Sequence, residues 1–283
     1  MVTSTVEPIF DDPTIIIERD TPTGGDDTTT GGGTSPDFDS GPSLDGNEIL
    51  GTDEDETLEG TAGRDFFFAG SGRDSVLGGG AGDTLYGEGD NDTLLGEDDD
   101  DQLLGNRDQD LLFGGEGEDT LWGGKNVDQL FGEEDDDLLL GNLGNDLLAG
   151  NEGDDCLFGG KEDDVLEGND GNDSLYGDRD KDFLIGGFGE DVFFIGSSTG
   201  GINLNDADVI LDFTLEEEDQ IGLLDGLRFG DLELEEVVIE EIEGTTLSGT
   251  AIRIDERGDE GDYLAVLDGI APEELGSGDF ITI

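Results

Sequence analysis

Gly114-Gly-Glu-Gly-Glu-Asp-Thr-Leu-Trp122 is followed without a break by Gly123-Gly-Lys-Asn-Val-Asp-Gln-Leu-Phe131 and by Gly132-Glu-Glu-Asp-Asp-Asp-Leu-Leu-Leu140. Each unit has nine residues, opens on glycine, places aspartate sixth and puts a large apolar residue eighth. Followed outward, the phase holds from Gly51 to Phe194, sixteen units with no insertion or deletion. Position one is glycine except at Ala69, and position six is aspartate except at Glu56. Position eight is apolar in every unit, from Leu58 and Phe67 to Leu184 and Phe193. A disordered polyanion has no physical reason to hold such a phase.

The residue types predict a local conformation. Glycine at position one permits backbone angles closed to other residues, and Gly, Asp and Asn dominate position four, where they tolerate a left-handed conformation. Positions one to six therefore read as a tight turn. Positions seven to nine are too few for a helical turn and read as a short strand with its middle side chain inward. Two units make a coil of eighteen residues, and eight coils at about 4.8 Å each give a rod roughly 38 Å long.

Composition narrows the chemistry. The 283 residues carry 77 Asp and Glu against 11 Lys and Arg, a formal charge of -66, with 51 glycines and only 32% hydrophobic residues. Such a chain repels nucleic acid and anionic membrane surfaces and attracts cations. No histidine is present, so a His-containing triad and a HExxH zinc site are excluded by counting. Cys156, the one cysteine, closes no intramolecular disulfide and reads as an incidental outward thiol. The N-terminus lacks the basic start and apolar core of a secretory signal peptide, and no apolar run reaches membrane-spanning length. Export is expected by another route.

Stacking the coils sets aspartate above aspartate, a column that repels itself without a counterion. Calcium takes six to eight oxygens, and carboxylates with turn carbonyls from successive coils can supply them; magnesium demands a stricter octahedron and sheds water reluctantly. Between residues 51 and 194 there are 42 acidic and seven basic residues, a net of -35. One ion in each gap between stacked turns makes about 14, which leaves roughly -7.

These units resemble the GGxGxDxUx nonapeptides of the RTX, or hemolysin-type, calcium-binding proteins. Full GGxGxD matches stand at Gly114 to Asp119 and Gly186 to Asp191, and Gly141-Asn-Leu-Gly-Asn-Asp146 is close. The resemblance implies an all-β fold, a right-handed parallel β-roll (β-solenoid), with type I secretion machinery as partner and folding outside the cell on calcium. It implies as metal ligands Asp65, Asp74, Asp83, Asp92, Asp101, Asp110, Asp119, Asp128, Asp137, Asp146, Asp155, Asp164, Asp173, Asp182 and Asp191, together with turn carbonyls. Glu56 at position six and Glu54, Ala81 and Glu162 at position four depart from the family pattern.

The expected organisation is a low-complexity, mostly flexible leader over 1–50, with a short strand at Ile15, Ile16 and Ile17, the calcium-binding roll over 51–194, and a β-rich capping and secretion region over 195–283. Apolar alternation in Asp208 to Phe213, Val237 to Ile242, Ala251 to Ile254 and Tyr263 to Leu267 predicts strands there, covering the last open coil. The end, Ser277 to Ile283, resembles the family's uncleaved export signal. Position nine points outward yet is apolar in fourteen units, a stripe open either to docking or to cover by the flanks. Adjacent carboxylates such as Asp154 and Asp155 are expected by chance in so acidic a chain. The functional expectation is a secreted calcium-binding structural or interaction module without catalysis. Two alternatives stay open: an adhesin or surface-layer component with self-association or a cell-surface partner, and an enzyme with its site in the C-terminal 89 residues.

Overall fold

The structure, a computed structural model, describes residues 46–196, 204–242, 245–254 and 262–283. The leader up to residue 45, with the strand expected at Ile15, Ile16 and Ile17, lies outside the described residues. From Asn47 onward the chain winds as a parallel β-roll of about eight coils. Strands of alternate repeats stack into two sheets, one carrying Gln102–Arg107, Thr120–Lys125 and Leu138–Leu143 in succession, the other Leu111–Glu116, Gln129–Glu134 and Leu147–Glu152. The register is eighteen residues throughout, with Leu103 beside Leu121 and Leu121 beside Leu139.

The sixteen-unit phase has its cause in the core. Position-eight side chains from Phe67 to Phe193 are all fully buried and form one continuous stack between the sheets; Leu58, in the first unit, is only partly buried. Each leucine meets its equivalents in the coils before and after, so a one-residue slip would turn the whole set outward.

Two local expectations are corrected. Most strands run six residues rather than three, for example Ser75–Gly80 and Thr93–Asp98, because positions two and three also pair with the neighbouring coils, as Gly79 does with Glu97 and Gly80 with Asp98. The left-handed residues are at positions two and four, not one. Every position two from Gly70 to Gly187 and every position four from Gly72 to Gly189 has positive φ, including Ala81 at 66° and Glu162 at 77°. The departures from the family pattern at those two turns therefore leave the backbone unchanged. Position-one glycine serves close approach instead: a Cβ on Gly78 would lie 2.6 Å from the Gly96 carbonyl oxygen of the next coil and 2.8 Å from Asp83 Oδ2 of its own turn.

Both sheets run on past the repeats. Asn47–Leu50, placed by sequence in the leader, forms a strand paired with Asp65–Ser71. At the other end Asp208–Ile210 and Gln220–Leu223 add parallel rungs, one to each sheet, followed by Tyr263–Asp268 and Phe280–Thr282. One sheet then turns antiparallel through Thr245–Ile254 and Leu232–Ile242. Ile210, Ile221, Ile252 and Leu264 continue the core. The flank thus covers the open coil end, the edge most exposed to strand addition.

The outward stripe largely covers itself. Phe158, Tyr176 and Phe194 stack with ring centroids 4.4 and 4.0 Å apart, and Phe68 stacks on Tyr86 at 5.0 Å. Leu104 and Leu140 are buried between such neighbours, and the Phe194 ring lies against Gly222, which has no side chain to compete for the space.

Candidate metal centre

Position six is where strand ladder and turn meet, and its backbone fixes its carboxylate. The Asp74 carbonyl accepts the Thr93 N–H at 2.9 Å, tying it to the next coil. The fifteen predicted aspartates form two columns. Asp65, Asp83, Asp101, Asp119, Asp137, Asp155, Asp173 and Asp191 lie along one sheet, and Asp74, Asp92, Asp110, Asp128, Asp146, Asp164 and Asp182 along the other; none is more than 3% exposed. Within a column each backbone N–H donates to Oδ1 of the aspartate eighteen residues on: Asp83 to Asp101 at 2.6 Å, Asp110 to Asp128 at 2.8 Å, Asp128 to Asp146 at 2.8 Å.

The second oxygen has no such donor. Oδ2 of every position-six aspartate from Asp74 to Asp182 is buried without a hydrogen-bond partner. A buried, unsatisfied carboxylate oxygen is among the most costly groups a fold can hold, and here thirteen recur in register. Burial, then like charge in the column and adjoining turns, pushes these acids up against the lowering effect of the Oδ1 bond: Asp92 and Asp137 to about 8, Asp128 and Asp164 to about 9. A proton or a cation must meet that charge. Among the described residues no three Asp, Glu, Cys or His side chains converge as a ready-made site, so an ion here takes its remaining oxygens from the backbone. The stacked turns offer them: the Gly96 carbonyl lies beside the same Gly78 Cα that Asp83 Oδ2 approaches. Few carboxylates with many carbonyls is a donor set for a hard, flexible-coordination dication such as calcium.

Turn amides are also held by acidic side chains. Asp136 Oδ1 accepts the Asp154 N–H at 2.8 Å and Asp154 Oδ1 the Asn172 N–H at 2.8 Å, at position five; Asp99 accepts the Ala81 N–H at 3.1 Å, at position four. Adjacent pairs such as Asp154 and Asp155 thus divide into an outer acceptor for turn amides and an inner column member. The Cys156 thiol is pushed up to about 11, by burial and then by Asp155, which leaves it a poor nucleophile.

Two column members, and a third carboxylate that holds turn amides beside them, are new to the structure. Asp208 is fully buried and its Oδ1 accepts the Asp182 N–H at 3.1 Å; Asp219 likewise accepts from Asp191 at 3.2 Å; both oxygens of Asp212 accept the Gly186 and Gly187 N–H groups at 2.9 and 2.8 Å. Asp208-Val-Ile and Asp219-Gln-Ile repeat the Asp-x-apolar signature of positions six to eight, a signal present in the sequence but out of phase.

An alanine at an interior position one should report on this crowding. At Gly123, whose φ is not left-handed, a Cβ would lie 2.7 Å from Asp128 Oδ2 and 3.0 Å from the Gly141 carbonyl oxygen. Elsewhere such a substitution stabilises by about 0.4–1 kcal/mol; Gly123→Ala is expected to destabilise by about 1–3 kcal/mol, read as a lower melting temperature at fixed calcium. The buried Ala69, near the roll's N-terminal end, marks where a methyl is tolerated.

Fold and site together define a parallel β-roll with two columns of buried aspartates at its turns. The chain belongs to the RTX calcium-binding nonapeptide repeat family: the family model, of four repeat copies, matches residues 50–84, 77–112, 104–139, 131–166 and 158–193, together just over half of the chain. Calcium, taken up over successive turns, is the ion these repeats bind. Among solved structures, the AlgE6R3 subunit of the mannuronan C5-epimerase from Azotobacter vinelandii, determined in solution, is similar at 24% identity over 56% of this chain and 79% of its own, with a TM-score of 0.35. No curated protein matches the chain.

Proposed function

We propose that this is a secreted protein that folds when calcium enters its turn columns and then serves as a structural or interaction module without chemistry of its own. The observation that carries the reading is the run of thirteen buried carboxylate oxygens with no donor, held in register by the strand ladders. The position-six aspartates from Asp74 to Asp191 are the proposed side-chain ligands, Asp65 being already hydrogen-bonded through both oxygens. Residues 51–194 form the calcium-dependent roll, and 195–283 its cap and export region, handed to a type I system by the C-terminus. Family membership supports release from the cell, and among the described residues no helix is long and apolar enough to cross a membrane.

Circular dichroism of the purified chain during a calcium titration tests this, with magnesium as control. A cooperative rise in β signal is expected at about 10⁻⁴ to 10⁻³ M calcium, the range of extracellular modules, with no rise at equal magnesium. The same signal in excess chelator as in millimolar calcium would refute the proposal.

A further inference from the structure

The turns are of two kinds. In the first two repeats position two is Thr52 or Thr61, and neither is left-handed. The Thr61 N–H donates to Asp65 Oδ2 at 2.7 Å and its hydroxyl to the same oxygen at 2.9 Å, while Asn47 donates to Oδ1. Thr52 treats Glu56 in the same way, N–H to Oε2 at 2.7 Å and hydroxyl to Oε1 at 3.0 Å. At the far end of one column the Thr214 N–H, five residues before the carboxylate rather than four, donates to Asp219 Oδ2 at 2.6 Å while its hydroxyl turns to Glu217 at 3.0 Å, and Asp219 Oδ1 is already taken by Asp191. Between these ends position two is left-handed in every turn from Gly70 to Gly187, and no donor reaches Oδ2 from Asp74 to Asp182.

We infer that the residue at position two of each turn decides whether that turn takes calcium, and that threonine there locks the carboxylate onto the protein's own amide and hydroxyl, so that the ion array is bounded by metal-free turns at its N-terminal end and, through Asp219, at the far end of one column. A carboxylate oxygen with two good donors has its charge met. To bind metal it must give those bonds up, whereas an interior Oδ2 gives up nothing. Glu56 and Asp65 on this view close both columns at the N-terminal end and Asp219 closes one at the other, and the ions belong to the turns between. The advantage is physical: an end turn has a neighbour on one side only, so an ion there would draw on one coil's oxygens, and a hydrogen-bonded end needs none.

The inference rests on the calcium reading above, and the test separates the two. Native mass spectrometry of the full chain in saturating calcium counts the ions on wild type and three variants. Asp128→Asn, in mid-column, is expected to lose about one or two ions. Asp219→Asn is expected to keep the wild-type count, and Thr61→Gly, which removes the hydroxyl and admits a left-handed turn, to gain about one at Asp65. Loss of ions in Asp219→Asn, or an unchanged count in Thr61→Gly, overturns the inference and leaves the calcium columns standing. Should Asp128→Asn also keep every ion, the columns are not the sites and both readings fall.

Discussion

Stripped of calcium at pH 8 the roll is expected to unfold, and acidification to about pH 5, still in chelator, is expected to restore much of its β signal with no metal. The sign follows from the columns. In the metal-free fold, burial raises the position-six acids from 3.8 to about 6 at Asp83 and Asp155, about 7 at Asp101, Asp110, Asp119, Asp146 and Asp173, and about 9 at Asp128 and Asp164. A group whose folded pKa lies above its unfolded one binds more protons when folded. Its contribution to stability is complete below the unfolded pKa and is lost as pH rises through the folded value. Between about pH 5 and 9 the metal-free fold therefore weakens with rising pH, many groups together. Asp65 runs the other way: burial raises it, but donors from Asn47 and Thr61 outweigh that and hold it below 3.8. Calcium needs the ionised carboxylate, so its apparent affinity falls as pH falls. Proton and calcium thus substitute for one another in the same columns. Far-ultraviolet circular dichroism in chelator at pH 8, 6.5 and 5 checks this, staying above the sequence pI of about 4.1, where precipitation would obscure the result. A flat, unfolded signal across that range would show that the columns do not carry the electrostatic cost assigned to them.

Much of this was legible in the sequence, and the rest was hidden for identifiable reasons. The nine-residue phase is a covalent property, and from it follow the eighteen-residue register, the leucine stack and the two aspartate columns. Strand length was not legible, because positions two and three join the ladder through backbone groups while their side chains share no type: Gly79, Glu97 and Asn106 all occupy position two. That same mixture conceals the left-handed φ they have in common, whereas the nearly invariant glycine at position one draws attention to itself. Asp208 and Asp219 were missed because they follow Asp182 and Asp191 by 26 and 28 residues rather than eighteen. The roll's stacking continues there although its counting does not. The threonine turns were missed for the opposite reason: Thr52 and Thr61 sit in perfect phase, and only their backbone angles and hydrogen bonds set them apart.

Leu139→Ala is expected to be the most damaging conservative change in the roll's middle, and to show it in temperature far more than in calcium midpoint. Leu139 is fully buried and registers between Leu121 and Leu157 in the stack. Truncation there removes apolar burial and leaves a cavity that two rigid ladders cannot collapse, worth about 2–5 kcal/mol. For a cooperative unit of this size that lowers the melting temperature at fixed calcium by about 5–15 °C. The calcium midpoint behaves differently, since folding is coupled to about 14 ions and each tenfold change in calcium counts once per ion. A loss of about 3.5 kcal/mol then moves the midpoint only about 1.5-fold. Thr120→Ala, at an outward position on the adjoining strand, is the control, expected within about 0.5 kcal/mol of wild type. Thermal melts of both variants at 5 mM calcium, with midpoints from parallel titrations, give the comparison. Equal melting temperatures for the two would mean that the leucine stack adds little once the ions are bound. A midpoint shift of tenfold or more for Leu139→Ala would mean that only one or two ions are linked to folding, rather than the whole array.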